Sequence, residues 1–160
     1  MRLYEYQSKQ IFDESGIPTP KGKVAYTLTE VRDIARQLGG QVVVKSQVLS
    51  DSRQQAGGIL LASDSDEAQV YAESILGQSI QGQSVQKVLV ETFIEVKRAF
   101  YVAIAIDYAA CKPVLLASTE GGENIEAIAQ EDPDAVIRLS IDPLAGLFKF
   151  QARNLALDLG

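Results

Sequence analysis

Histidine is absent from this chain, cysteine and methionine occur once each, and tryptophan does not occur among the 160 residues. Without imidazole, the chain itself cannot supply a histidine base, a phosphohistidine or a histidine metal ligand. Its one thiol, Cys111, excludes an internal disulfide and a thiolate zinc site, and fits a reducing compartment. No apolar run approaches the roughly 20 residues of a membrane span, and the N-terminus lacks the pattern of a signal peptide. The sequence therefore predicts a soluble, cytoplasmic protein.

Basic residues are fewer than acidic ones: the chain has 15 Lys and Arg and 21 Asp and Glu, so its formal net charge is −6 at pH 7. A net acidic surface argues against nucleic acid or an anionic membrane as the main partner. Otherwise the composition is that of an ordinary globular protein, with 46% hydrophobic and 22% charged residues. A chain of this length can bury the core of one domain or of two small lobes.

The hydrophobic pattern alternates between helical and strand periodicity. Residues 27–38 repeat apolar positions at helical spacing behind a Thr27–Glu30 capping box, and residues 41–45 are a β-branched run typical of a buried strand. We predict helices in residues 4–15, 27–38, 124–130 and 148–159, and one between residues 63 and 77. We predict strands in residues 21–26, 41–45, 59–62, 85–91, 100–107, 113–117 and 135–141, and a loop in residues 77–84. An α+β architecture follows; because a helix ends the chain without a further element, we expect a longer protein.

Lys45 ends the β-branched strand and faces a polar loop, residues 46–58. A lysine in this position can hold an anionic group such as phosphate, or can simply reach solvent from the strand end. The loop carries Arg53 and the pair Gly57 and Gly58. Glycine amides can line a phosphate, and the same pattern also fits a hairpin connection. The residues alone leave both alternatives open.

Two further segments, residues 91–94 and residues 118–124, each fit two interpretations. Residues 91–94, beginning with Glu91, follow a strand; they can hold a purine against apolar side chains, or join two lobes. Residues 118–124 join a strand to a helix and contain a glycine pair. Exposed amides at a helix start attract anions, whereas a plain glycine turn capped by Asn124 explains the same residues.

Six short segments, taken in order, resemble the β subunits of succinyl-CoA synthetases, which are acid–CoA ligases with an ATP-grasp fold. The resemblance covers essentially the whole chain. The segments are LYEYQSKQ (3–10) with GIP (16–18), VVKSQV (43–48), AGG (56–58), VLVE (88–91), ASTEGG (117–122) and DPL (142–144). The resemblance implies an α+β ATP-grasp fold of two α/β lobes, the second incomplete by Gly160. Subdomain 1 would comprise residues 21–92, and residues 1–20 plus 93–160 would form part of subdomain 2.

The resemblance also implies an activity. Enzymes of this family join a carboxylic acid such as succinate to CoA with hydrolysis of ATP or GTP, through a phosphohistidine on a partner α subunit. The absence of histidine from this chain agrees with a phosphohistidine that lies on the α subunit. The ATP-grasp lobes hold the nucleotide with Mg²⁺, whose ligands we expect beyond residue 160. Partners are therefore expected to be an α subunit and a nucleotide, with no nucleic acid and no membrane, and no catalytic residue is assigned.

Carried over position by position, the family's nucleotide-binding residues fall on Lys45, Ser52, Arg53, Gln54, Glu91, Ile94 and Ala99. Lys45 would hold phosphate and residues 52–54 would cover the phosphates. Glu91 and Ile94 would lie at the adenine and ribose side, and Ala99 takes the place of a family glutamate.

The chain departs from the family in the loop of residues 46–58. Its residues 51–55 are DSRQQ, whereas the family has GGRGK at these positions. Each lost charge-assisted bond costs on the order of 1–3 kcal/mol, so we expect nucleotide affinity to be weakened at least about tenfold. Two alternatives therefore remain: a binding or regulatory module of this fold without nucleotide turnover, and another ATP-grasp carboxylate ligase.

Overall fold

The computed structural model of the chain describes residues 2–50, 53–121 and 125–160. By their internal contacts, the residues form two compact units, Met1–Glu95 and Val96–Gly160. Unit 1 contains α1 (Glu5–Glu14), β1 (Gly22–Ala25), α2 (Leu28–Leu38), β2 (Val42–Ser46), β3 (Ile59–Ala62), α3 (Ser65–Ile75), β4 (Ser79–Ile80), β5 (Gln83–Ser84) and β6 (Val88–Thr92). Unit 2 contains β7 (Tyr101–Asp107), β8 (Lys112–Ser118), α4 (Ile125–Glu131), a 3-10 turn (Pro133–Ala135), β9 (Ile137–Ser140) and α5 (Lys149–Asp158). In the part of the chain so described, no helix is both long and apolar enough to cross a bilayer.

Unit 1 is built on a four-stranded antiparallel sheet in the order β1-β6-β2-β3. Burial alternates along β2: Val42, Val44 and Ser46 are buried, whereas Val43 and Lys45 are half-buried. The buried valines join the main core with apolar residues of α2 and α3. Because successive side chains of a strand point to opposite faces, Lys45 lies on the face away from this core.

The face away from the core carries charge. In the register of β2 with β6, Val43 lies opposite Glu91 and Lys45 lies opposite Leu89, so Glu91 and Lys45 are diagonal neighbours on one face. β1 places Gly22 opposite Glu91 on the other side, and a Cβ at Gly22 would lie 2.7 Å from Glu91 Cβ. The glycine therefore leaves the space that the Glu91 side chain needs.

Unit 2 is built on a three-stranded antiparallel sheet in the order β7-β8-β9. The helix α5 contributes Leu155 to a small core that also contains Leu115, Ala117 and Ile141. The edge strand β7 leaves Val102, Ile104 and Ile106 exposed. Unit 2 thus has a smaller apolar core than unit 1.

The predicted α+β class is confirmed, and the predicted helices and strands are present with ends shifted by up to three residues. Residues 77–84 were wrongly predicted as a loop: they contain the hairpin β4–β5. Gln81 and Gly82 both have positive φ, 48° and 77°, which is the geometry of a two-residue hairpin turn. The strand predicted from residue 135 begins at Ile137, because Pro133–Ala135 form the 3-10 turn.

Residues 1–20 lie in unit 1 by their contacts. The resemblance assigned them to subdomain 2, together with residues 93–160. The difference arises because α1 places charged side chains against β2 and β6, over the face away from the main core. The subdomain boundaries of residues 21–92 and of the remainder stay a prediction.

The capping box of α2 is present as predicted. Thr27 Oγ1 accepts from the Glu30 N–H at 3.3 Å, and Glu30 Oε2 accepts from the Thr27 N–H at 3.2 Å. Removing a hydroxyl cap leaves a helix N–H without its partner, so we expect Thr27→Ala to lower the free energy of unfolding by about 1 kcal/mol in urea titrations. Thr29→Ala, also exposed and within the same helix, is the control and is expected to change stability by less than about 0.5 kcal/mol. Equal losses in both variants would contradict a capping role.

Candidate functional site

Glu5 in α1 is surrounded by three positively charged side chains. Its Oε1 lies 3.0 Å from Lys9 Nζ and 3.0 Å from Lys45 Nζ, and its Oε2 lies 2.9 Å from Arg53 Nη1. The Glu5 side chain is 17% exposed. Burial by itself raises the pKa of Glu5, but attraction by Lys45 and Lys9 outweighs burial and lowers the pKa to about 2. Three separate segments, α1, β2 and the loop after β2, therefore converge on one carboxylate.

Glu91 brings a second carboxylate to this place from the strand β6. It forms ion pairs with both Lys9 and Lys45, and its side chain is 4% exposed. Burial opposes the charge on Lys45, but the hydrogen bond to Glu91 and the attraction of Glu5 outweigh burial and raise the pKa of Lys45. We refer to these five residues, Glu5, Lys9, Lys45, Arg53 and Glu91, as the charge cluster. Three cations against two carboxylates leave it with one net positive charge.

The helix α1 is attached to the sheet by polar contacts, since none of its ten residues is buried. The Tyr6 N–H donates to the buried side chain of Gln47 at 3.2 Å, and the Gln47 amide donates to the Lys45 carbonyl at 3.3 Å. Lys87 Nζ lies 4.1 Å from the centre of the Tyr4 ring and donates to the Tyr6 hydroxyl at 3.3 Å. These contacts hold the first turn of α1, which carries Glu5, over the end of β2.

The loop after β2 is folded back so that Arg53 reaches the charge cluster. Arg53 donates to the Ser46 carbonyl at 3.1 Å as well as to Glu5, and its own carbonyl accepts from the Gly58 N–H at 2.7 Å. A Cβ at Gly58 would collide with Ser46 Oγ and would lie 2.8 Å from Ile80 Cδ1. The same Cβ would lie 3.0 Å from the Arg53 carbonyl oxygen, a tight contact with backbone, so Gly58 helps to set where Arg53 lies.

Among the described residues of unit 1, the other sequence-predicted residues are not members of the charge cluster. Ser52 falls outside the described residues. Gln54 is exposed in the loop after β2, and Ile94 is exposed near the end of unit 1. Ala99 belongs to unit 2, where a Cβ at Gly121 would lie 2.7 Å from Ala99 Cβ. Of the predicted residues, the structure therefore brings together Lys45, Arg53 and Glu91.

Glu5 and Lys9 were missed by sequence reasoning, which used the N-terminal segment to predict a helix and to support the resemblance. Two signals point to them. Glu5 and Lys9 are four residues apart in a helix, so they share one face. A lysine predicted at the end of a buried strand, Lys45, also needs a carboxylate partner if it is to stay charged there.

The backbone after Glu91 is engaged in the sheet. Glu91 itself is flanked by β1 and β2. The Thr92 N–H donates to the Lys21 carbonyl at 2.8 Å, and the Phe93 N–H donates to the Gln41 carbonyl at 3.0 Å. These two N–H groups are therefore not free to pair with the edge of a purine.

Two clefts adjoin the charge cluster. The first, about 350 Å³ in volume, lies between α1, β1 and β6 and has Lys9 and Glu91 in its wall. The second, about 310 Å³, is lined by Arg2, Leu3, Glu5, Ser8, Val48, Leu49, Ser50 and Arg53. Cations that reach both oxygens of one carboxylate are suited to any anion with adjacent oxygens, phosphate included. The charge cluster therefore has the chemistry of an anion-binding site.

The chain matches the ATP-grasp domain family over residues 2–160. It belongs to the ATP-grasp family. Its curated relatives include proteins named succinate–CoA ligase (ADP-forming) subunit beta from Haloarcula marismortui, 44% identical over 160 residues, and Aquifex aeolicus, 42% identical over 166 residues. These alignments cover 100% and 99% of this chain, but only 42% and 43% of the relatives, so the chain spans less than half of their length. The resemblance to succinyl-CoA synthetase β subunits is thus confirmed.

Two solved structures share the fold of this chain. A dinucleotide-forming acetyl-coenzyme A synthetase from Ca. Korarchaeum cryptofilum aligns with a TM-score of 0.78 at 19% identity, over 98% of this chain and 68% of that one. ATP citrate lyase from Methanothrix soehngenii aligns with a TM-score of 0.66 at 23% identity, over 91% of this chain and 36% of that one. The predicted ATP-grasp fold is confirmed.

Proposed function

We propose that this chain is the nucleotide-binding region of an acid–CoA ligase β subunit, in which Lys45 and Arg53 hold the phosphates of ATP or GTP. In the whole enzyme, nucleotide hydrolysis would drive the joining of a carboxylic acid such as succinate to CoA, through a phosphohistidine on the α subunit. The observation that carries the proposal is the convergence of Lys45 and Arg53 on one anion, the Glu5 carboxylate, at 3.0 and 2.9 Å.

The two cations suit a polyphosphate in different ways. Lysine presents a compact point charge, whereas the planar guanidinium of arginine can donate to two oxygens at once. Lys45 is fixed on a strand, and the loop carrying Arg53 is fixed by the hydrogen bond from Gly58. A site whose cations are already held in place loses little side-chain entropy when a ligand binds. Lys45 and Arg53 can therefore bind an anion with little rearrangement of their own side chains.

The proposal also covers further nucleotide-binding residues, the metal ion, the partners and the location of the protein. Ser52, Gln54, Glu91, Ile94 and Ala99 stay predicted nucleotide-binding residues. The charge cluster supplies cations for phosphate, and within the described ranges no three His, Cys, Asp or Glu side chains are grouped to hold a metal ion. The Mg²⁺ expected with the nucleotide would take its protein ligands from residues beyond 160. An α subunit as partner, no binding of nucleic acid or membrane, and a cytoplasmic location also stay predictions.

A second candidate is a binding module of the same fold that does not turn over nucleotide. Two observations favour it: the sequence DSRQQ replaces GGRGK in residues 51–55, and Glu5 and Glu91 already neutralise two of the three cations of the charge cluster. Another ATP-grasp carboxylate ligase is a third possibility, supported by the fold alone.

Thermal unfolding of the full chain separates the first two candidates. We expect ATP or GTP with Mg²⁺ to raise the Tm, since a ligand at 100 times its Kd stabilises the folded state by about 2.7 kcal/mol. Lys45→Ala is expected to abolish this shift. Arg36→Ala, which removes an exposed cation in the last turn of α2, is the matched control and is expected to preserve it. No shift with either nucleotide at millimolar concentration would contradict the proposal and favour the binding module.

A further inference from the structure

Glu5 lies where the proposed function places a phosphate. Its two oxygens contact Lys45 Nζ and Arg53 Nη1 at 3.0 and 2.9 Å. A phosphate that approached the same two cations would come within a few ångströms of the Glu5 carboxylate. Like charges at such a distance repel, and the repulsion is strongest in a partly buried site. Glu5 and a polyphosphate therefore compete for Lys45 and Arg53.

The surroundings of Glu5 allow it to move away. The helix α1 that carries it has no buried residue, so the Glu5 side chain can swing away without disturbing the core, while the contacts of Tyr4 and Tyr6 keep the helix in place. Lys9 keeps an ion pair with Glu91 if Glu5 leaves. The second cleft, with Glu5 and Arg53 in its wall, offers about 310 Å³ of space beside the carboxylate. A ligand can therefore reach the cations from this cleft.

We propose that Glu5 is an internal substitute for the ligand's phosphate, which neutralises Lys45 and Arg53 in the free protein and is displaced when a polyphosphate binds. The inference rests on the proposed function as far as the ligand is a nucleotide, but the site itself would accept any polyphosphate. The opposite role is an orienting one, in which Glu5 stays in place and positions the two cations for the ligand. Removing the charge of Glu5 distinguishes the roles, because it strengthens binding in the first and weakens it in the second.

The experiment is isothermal titration calorimetry of inorganic tripolyphosphate into the full chain at pH 7. We expect Glu5→Gln to bind at least about tenfold more tightly than wild type, because glutamine keeps the shape of the side chain and removes the competing charge. Glu14→Gln removes an exposed carboxylate at the other end of α1, away from the charge cluster, and is expected to leave affinity within about twofold. Binding by Glu5→Gln that equals or is weaker than that of wild type overturns the proposal.

A second measurement uses the wild-type chain, in case Glu5→Gln is too unstable to titrate. The carboxyl ¹³C signal of Glu5 reports its pKa, which is about 2 in the free protein. With saturating tripolyphosphate we expect the pKa to rise toward its ordinary value of 4.5, because Glu5 then no longer contacts Lys45, one of the two lysines that lower this pKa. A Glu5 pKa that stays low in the bound protein overturns the proposal.

Repeating the titrations with ATP and GTP, each with Mg²⁺, separates this inference from the proposed function. If Glu5→Gln binds tripolyphosphate more tightly than wild type while neither protein binds a nucleotide, the displacement of Glu5 stands and the proposed function fails. If wild type binds a nucleotide and Glu5→Gln binds it no more tightly, the proposed function stands and the displacement of Glu5 is wrong.

Discussion

Replacing Lys45 by alanine is expected to lower the free energy of unfolding by about 3 kcal/mol. The Lys45 side chain is 19% exposed and forms ion pairs with both Glu5 and Glu91. Glu91 is buried on a strand with a neighbour on each side, so its carboxylate cannot turn to solvent when Lys45 is lost. Removing one partner of a buried ion pair costs roughly 3–5 kcal/mol. Because Lys9 still pairs with Glu91, we expect the lower end of this range in urea unfolding followed by circular dichroism.

Two further variants test whether charge causes this loss. Lys23→Ala removes an exposed lysine of the same sheet whose side chain donates a hydrogen bond to Gln37 at 3.3 Å, and is expected to cost less than about 0.5 kcal/mol. The double variant Lys45→Met with Glu91→Leu removes both charges and fills the space with apolar groups. Its loss in free energy of unfolding is expected to be smaller than the sum of the losses of its two single variants, since an apolar pair can replace a buried ion pair at little cost. Strictly additive losses would show that the two residues do not interact.

Elements that depend on near neighbours in the chain were predictable from the sequence. The Thr27–Glu30 capping box is present, and the β-branched run predicted as a strand over residues 41–45 forms β2, which is buried on one face. The hairpin β4–β5 was missed for a local reason. Its turn requires a positive φ at Gln81, a backbone conformation that residues other than glycine rarely adopt.

The charge cluster could be predicted only in part, because its members are distant in the sequence. Lys45 lies 40 residues from Glu5, and Lys9 lies 82 residues from Glu91. The β-branched run placed Lys45 at the end of a strand, facing a polar loop, and the resemblance singled out Lys45, Arg53 and Glu91 among the nucleotide-binding residues. Which carboxylates meet Lys45 depends on the strand order, which sets β6 beside β2, and on the docking of α1 over that face. Neither follows from the periodicity of the chain.

The stability difference between wild type and Glu5→Gln is expected to depend strongly on pH. The pKa of Glu5 is about 2 in the folded protein and 4.5 ordinarily, and each pKa unit corresponds to about 1.4 kcal/mol, so Glu5 contributes about 3 kcal/mol at pH 7. Because the folded pKa is the lower one, the unfolded chain takes up the proton first as pH falls. The contribution is therefore full above about pH 5, about half at pH 3, and nearly gone at pH 2.

Urea unfolding of both proteins at pH 7 and pH 3 measures this dependence. The charged groups that face Glu5 are Lys9 of α1, Lys45 of β2 and Arg53 of the following loop, with Glu91 across the two lysines. Other carboxylates titrate in both proteins, so their effects cancel in the difference. Glutamine matches the shape of protonated glutamate, and the two proteins should therefore converge in stability as the pH falls. A difference that stays constant between pH 7 and pH 3 would mean that glutamine destabilises this position through packing, and that Lys45 and Lys9 do not lower the pKa of Glu5.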